Sequence, residues 1–229
     1  MKVNTDGVLV GAWANIEDCR GSNYFRVLDI GTGTGIITLI IAQRVSELCS
    51  FSIKAVEIDK ASADEAEENF LNSPWSRSIN IFKGPLSDFV KISSEKFDLI
   101  ISNPPYFIKS LKTDSARRSV AKHCDNSLPF EELAQSSAQL ISTAGKLVII
   151  LPIEECDIFS QIAKVSGLFL TKKCFVQTTA LKPPKRILAE YKKTEPLSVV
   201  EEALIIQDKL PGEFTEEYKN LTKEFYLRF

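Results

Sequence analysis

The sequence predicts an α/β fold of the Rossmann-like kind: a mostly parallel seven-stranded sheet with helices on both faces and an antiparallel strand pair at its C-terminal end. Three observations lead there. From Val27 to Val165 short aliphatic runs alternate with longer helical segments, the pattern of βα units. The first of those runs enters a Gly-rich turn, Gly31-Thr32-Gly33-Thr34-Gly35. After Phe169 the pattern changes to two extended segments joined through Lys182-Pro183-Pro184-Lys185, as an antiparallel pair would be. At 229 residues and 44% hydrophobic, the chain is long enough to bury the core of one large domain. Within it we expect an N-terminal segment (1–25), a βα core (26–168) and a closing region with a C-terminal helix (169–229).

Each element has its own grounds. The opening, Lys2 to Ala14, is a turn-forming Thr5-Asp6-Gly7 followed by an apolar segment of helical look, and there Asp6 is either an N-cap or a ligand contact. Arg26 to Ile30 reads as a buried strand, and Ile36 to Val45 as an apolar helix. Ser52 to Asp59 is a second strand ending in acids, followed by a helix from Lys60 to Leu71. Ser78 to Phe82 is a third short strand. The fourth starts at Phe97 and is stopped by Asn103-Pro104-Pro105-Tyr106, because proline fixes its own φ, lacks an N–H and holds the preceding residue extended. A helix with proline in its first turn follows, Leu128 to Ile141, then strand five, Gly145 to Pro152, and a helix from Glu154 to Val165. Phe169 to Thr178 and Arg186 to Lys193 form the antiparallel pair. Leu197 to Gln207 offers one more strand, against which Glu201-Glu202-Ala203 speaks, and Tyr218, Leu221, Phe225 and Tyr226 take helical spacings in the tail, 215–229.

Composition excludes several classes. The longest apolar runs, such as Leu147 to Leu151, are far shorter than a membrane span, and the N-terminus has no apolar signal stretch. A cytoplasmic protein is expected, with no membrane partner and no obligate protein partner implied. Five scattered cysteines and a single histidine, His123, argue against a metal site and a disulfide framework. A net charge of −2 excludes a globally basic nucleic-acid binder, so nucleic acid must be met by local patches. There are two: Lys109, Lys112, Arg117, Arg118 and Lys122, directly after Tyr106, and Lys182, Lys185, Arg186, Lys192 and Lys193. Either alone reads as a solvated face, and the first gains weight by adjoining the turn at Asn103.

The Gly-rich turn calls for a nucleotide-like ligand, since glycine admits close approach and the helix behind it presents unpaired N–H groups. Spacing separates the kinds. A dinucleotide fingerprint requires a small residue where Ile36 stands, whereas Asp29 ahead of Gly31, Gly33 and Gly35 matches S-adenosylmethionine (SAM) enzymes, in which the acid faces the ligand's cationic amino-acid end. Glu57 lies where a strand-two carboxylate accepts bonds from both ribose hydroxyls, and two acceptor oxygens suit a diol. For Asp59 we expect a helix cap. Asp88 either bonds the adenine amino group or caps a helix.

Asn103 and Pro104 then suggest what is methylated. The exocyclic amino group of an adenine is a poor nucleophile because its lone pair is delocalised into the ring. If the Asn103 side-chain oxygen and the Pro104 carbonyl each accept one of its N–H bonds, density returns to nitrogen and the lone pair can turn toward the methyl carbon. Tyr106, with Phe107 in reserve, offers a stacking face worth roughly 1–3 kcal/mol, and the base must be flipped or unpaired. Asn103 also borders the cofactor. Lys109, Arg117, Arg118 and Lys122 would meet the nucleic acid.

Taken together, Lys2-Val3-x-Thr5-Asp6-Gly7-Val8-Leu9-x-Gly11-Ala12-Trp13-Ala14, Leu28 to Gly35, Val56-Glu57-Ile58-Asp59, Ser102 to Phe107, Ala116-Arg117 and Phe225-Tyr226-Leu227 resemble the bacterial tRNA adenine-N6 methyltransferases that act on the adenine beside the anticodon of a valine tRNA. The resemblance spans nearly the whole chain and implies the class I SAM-dependent fold, SAM as methyl donor and tRNA as substrate. By it the opening segment lines the SAM site, which makes Asp6 a site residue. Protein glutamine N5 methylation, ribosomal RNA guanine-N2 methylation and a non-catalytic nucleic-acid-binding module stand as alternatives.

Overall fold

The structure is a computed structural model and describes residues 5–105, 128–208 and 213–226. One sheet runs through it. Its strands are β1 (Phe25–Ile30), β2 (Phe51–Glu57), β3 (Ile79–Lys83), β4 (Phe97–Ser102), β5 (Ile141–Pro152), β6 (Phe169–Thr179), β7 (Arg186–Lys192) and β8 (Val200–Gln207). Their order is β3-β2-β1-β4-β5-β7-β6-β8. Every pairing is parallel except those of β7, which runs against both β5 and β6. The sheet thus has eight strands, the Leu197–Gln207 segment supplying the last. Its first half is acidic because it is an exposed edge, and of its eight residues only Leu204 is buried.

Helices α1 (Thr5–Trp13), α2 (Ile36–Ser46), α3 (Lys60–Leu71) and α7 (Glu216–Thr222) cover one face. Helices α4 (Leu86–Ile92), α5 (Phe130–Leu140) and α6 (Ile153–Val165) cover the other. Alternation along the strands feeds both: Val27, Leu99, Ile101, Val148 and Ile150 join the first core, and Leu28, Ile30, Ile100, Leu147 and Ile149 the second. A parallel sheet covered on both faces needs such unbroken apolar runs.

Helix α1 is buried nearly all round, as a helix without a polar face must be. Gly11 lets it cross α2, because a Cβ there would stand 2.9 Å from Ile40 Cγ2. Arg44 of α2 donates to the carbonyls of Gly11 (2.5 Å) and Ala14 (2.8 Å), placing a cation where α1 ends and its carbonyls lack partners. Strand β5 starts at Ile141, immediately after α5, four residues before the glycine at which the sequence suggests it. The tail helix is shorter than its apolar spacing suggests, giving way to a turn after Thr222.

The chain moves outward from β1 through β2 to β3, then returns to lay β4 on the other side of β1. That reversal makes β1 and β4 the switch point, and ligands in open α/β sheets bind beyond the carboxyl ends of such a pair.

Candidate active site

At the carboxyl end of β1 the backbone turns through Gly31 (φ 71°), Gly33 (φ 59°) and Gly35 (φ 89°), all in the left-handed region. Gly35 is also packed: a Cβ there would run into the Phe70 ring of α3. Strand β2 and helix α3 hold the turn. The N–H groups of Gly31 and Thr32 donate to the Val56 carbonyl at 2.9 and 3.1 Å. The Gly33 N–H donates to Glu57 Oε2 at 2.8 Å, and Asn69 of α3 donates to the Thr34 carbonyl at 2.9 Å.

Glu57 therefore has a structural task beside the one the sequence suggests. Its second oxygen accepts from the Asp59 N–H at 2.9 Å. Each oxygen keeps acceptor capacity, since a carboxylate has about four lone-pair positions. Asp59 itself caps α3, accepting from the Ser62 N–H at 2.8 Å, and that bond holds its carboxyl below the usual range.

Asp29 is fully buried, two residues beyond Val27 and on the same face. Its Oδ2 accepts from the hydroxyls of Thr32 (2.6 Å) and Thr38 (2.7 Å), while Oδ1 has no hydrogen-bond partner. Burial pushes its carboxyl up to about 6, against the pull of the two threonine hydroxyls and with the Glu57 charge adding to the rise. The two threonines hold Asp29 in place, a part that the sequence reading does not assign to them. A signal existed for Thr38, the one polar residue in the run Ile36 to Ile41.

Strand β4 brings Asn103 and Pro104 to the same end. Ile30 and Ser102 are register partners, and the buried Ser102 hydroxyl donates to the Ile30 carbonyl at 2.7 Å. The last residue of β4 is thus tied to the residue just before Gly31. Pro104 is buried and Asn103 half-buried. Tyr106, Phe107, Lys109, Arg117, Arg118 and Lys122 lie outside the described residues.

Two further candidates are placed differently from the first group. Asp6, in the first turn of α1, accepts from Arg186 Nε at 2.9 Å, an ion pair between α1 and the start of β7. Asp88 is exposed in the first turn of α4 and pairs with Lys91 at 2.7 Å; it is not the cap, a position taken by Pro85. Among the described residues no group of three or more His, Cys, Asp and Glu side chains is placed to hold a metal ion, and no helix is long and apolar enough to cross a membrane.

A Gly-rich turn and an Asn-Pro turn, tied together across the switch point of a sheet with one reversed strand, define a class I SAM-dependent methyltransferase fold. Comparison with known proteins agrees. Residues 16–151 match the family model described as methyltransferase small domain. A predicted O-methyltransferase from Agrobacterium tumefaciens superposes with a TM-score of 0.72 over 96% of each chain at 18% identity, a likeness of fold. Closer in sequence is a Bacteroides fragilis tRNA1(Val) (adenine(37)-N6)-methyltransferase, 40% identical over 100% of this chain and 92% of its own. Proteins of the same name from Trichodesmium erythraeum (39% identical, covering 100% and 92%) and Haemophilus influenzae (37%, 100% and 93%) match over similar lengths. The chain belongs to the tRNA1(Val) (adenine(37)-N6)-methyltransferase family.

Proposed function

We infer that this protein transfers a methyl group from SAM to the exocyclic N6 of an adenine in tRNA, the adenine beside the anticodon of a valine tRNA. The observation that carries the reading is the Ser102 to Ile30 bond, which fixes Asn103 and Pro104 against the start of the Gly-rich turn. Relatives that share about 40% of their residues over the whole chain bear the name of that reaction.

The residues present fit SAM. Three left-handed glycines give a backbone cradle that side chains would narrow. Glu57 keeps lone pairs for a ribose diol, and Asp29 and Asp6 are the acids for the cationic amino-acid end. The buried Oδ1 of Asp29, without a partner, is an acceptor of the kind such a ligand needs. Asp88 is assigned to the adenine amino group; an exposed ion pair one helical turn apart is worth at most about 1 kcal/mol, so its carboxylate can leave Lys91 at small cost. When bound, SAM supplies a methyl group on a positively charged sulfur.

The chain does the rest. Asn103 and Pro104 accept the two N–H bonds of the amino group and aim its lone pair away from the ring. Tyr106 and Phe107 stack on the base, and Lys109, Arg117, Arg118 and Lys122 hold the phosphates around it. The two cores on a single sheet support reading the chain as one domain, and a tRNA substrate supports a cytoplasmic location. Incubation with methyl-labelled SAM, unmodified tRNA and a glutamine-bearing release factor tests this directly. Label is expected in tRNA; label in the protein fraction alone would replace the reading with glutamine methylation.

A further inference from the structure

The structure divides the second basic run. Lys192 closes β7 at the amino edge of the parallel strands, opposite Lys146 and Phe169. Lys182, Lys185 and Arg186 stand at the carboxyl edge, in the turn from β6 to β7 and at the first residue of β7. That is the edge of the Gly-rich turn and Asn103. Lys182 and Lys185 are exposed.

Beside this turn lies a cleft of about 570 Å³. Lys185 and Arg186 line it together with Thr178 and Gln207 from the ends of β6 and β8, Phe214 and Tyr226 from the segments flanking α7, and Asp6 of α1, whose carboxylate is paired with Arg186 and marks the side on which the cleft borders the cofactor residues. The aromatic side is built as a unit. Phe214 stacks on Tyr218 with ring centroids 5.2 Å apart, and the hydroxyls of Tyr218 and Tyr226 are 3.1 Å apart.

The position of the cleft follows from register. Arg186 is two strands from β4, about 10 Å across the sheet at ordinary strand spacing. Its partner Pro152 lies three residues past Ile149, the partner of Ser102, so Arg186 also stands about 10 Å farther out along the strand direction. A polynucleotide that delivers one base to Asn103 would have its next nucleotides within that reach. Cations for phosphates beside aromatic and amide groups for a base are what single-stranded RNA requires.

We propose that the cleft between the β6–β7 turn and the Phe214–Tyr226 aromatic unit binds a nucleotide flanking the methylated adenine, with Lys182 and Lys185 on its phosphates and Tyr226 or Phe214 against its base. The proposal rests on the tRNA reading above and adds a contact surface to it.

The test compares wild-type protein with Lys182→Ala/Lys185→Ala and with Lys192→Ala at the opposite edge. Expected for the double variant is a tRNA Kd raised about 10-fold, with the slope of log K against log salt reduced by about 1.4, two single-strand phosphate contacts. SAM affinity and turnover at saturating tRNA stay as in wild type, and Lys192→Ala changes none of these. Removing the base from a nucleotide next to the target should weaken binding by wild type and have little further effect in Tyr226→Leu. An unchanged tRNA Kd and salt slope in the double variant, while wild type methylates tRNA, overturns this proposal alone. A loss of SAM affinity in it assigns the cleft to the cofactor and overturns it too. A wild type that methylates no tRNA removes the tRNA reading and the proposal together.

Discussion

Asp29 carries the sharpest conflict in the molecule, a carboxyl with no exposure whose one hydrogen-bonded oxygen meets two threonine hydroxyls and whose other oxygen meets nothing. Burial raises it from 3.8 to about 6, a difference equivalent to roughly 3 kcal/mol. The folded state thus holds the proton more tightly than the unfolded chain. Its contribution to stability is complete below about 3.8 and is lost as pH rises through about 6. Asp29→Asn should therefore gain on wild type as pH rises from about 4 to above 6, by up to about 3 kcal/mol in urea unfolding. Parallel curves for the two proteins would show that the carboxyl titrates normally. Much of this site is local in sequence and so could be read there. Asp29, the three glycines and Glu57 are positioned by their own strands and turn. The Thr38 clamp depends on how α2 sets against β1, and Asp6 with Arg186 joins residues 180 apart, a pairing that no spacing announces.

Among the elements, the Gly-rich turn is the least tolerant of change. Gly35 combines a φ of 89° with a site where a Cβ meets the Phe70 ring, so alanine there strains the backbone and displaces α3. We expect Gly35→Ala to cost about 1–3 kcal/mol, a fall in Tm of roughly 4–8 °C at the middle of that range. SAM affinity should fall with it. A variant that melts with wild type would mean the turn relaxes freely. Elements with a continuous apolar run or a clear helical period, β1, β2, β4, β5, α2, α3 and α6, were legible. Short or polar ones were less so: the sequence predicts β3, suggests β8 against its acidic residues and does not announce α4. Helix α4 has seven residues behind a proline, and β8 pairs through its backbone while exposing Val200, Glu201, Glu202 and Ala203. An edge strand needs partners on one side alone, which leaves its sequence few constraints.

At the scale of the whole molecule, the two edges of the sheet carry different duties. Away from the site, Lys146 of β5 is 1% exposed and its ammonium meets Asp18 at 2.6 Å, the aspartate being half-exposed. The lysine holds the Asp18 carboxyl below the usual range, so the pair stabilises above the ordinary carboxyl pKa and fades as pH falls below it. Asp18→Asn strands a buried ammonium and should destabilise by roughly 1–3 kcal/mol, whereas Lys146→Met should be neutral or stabilising. Neither should alter kcat at a temperature where both are folded. Thermal melts and initial rates check this, and a stable Asp18→Asn protein would show that water reaches the lysine. The carboxyl edge gathers the glycine turn, Glu57, Asn103 and the ion pair of Asp6 with Arg186, the residues to which the proposed function assigns the chemistry.

The central claim, that Asn103 activates an adenine amino group beside a SAM site, is tested most directly by mass spectrometry of nucleosides from tRNA treated with SAM and either wild-type or Asn103→Ala protein, with SAM affinity measured alongside. N6-methyladenosine formed by wild type, a rate at least about 100-fold lower in the variant and an unchanged SAM Kd are the predicted results. Equal rates for the two proteins, or a methylated nucleoside other than N6-methyladenosine, would contradict the account.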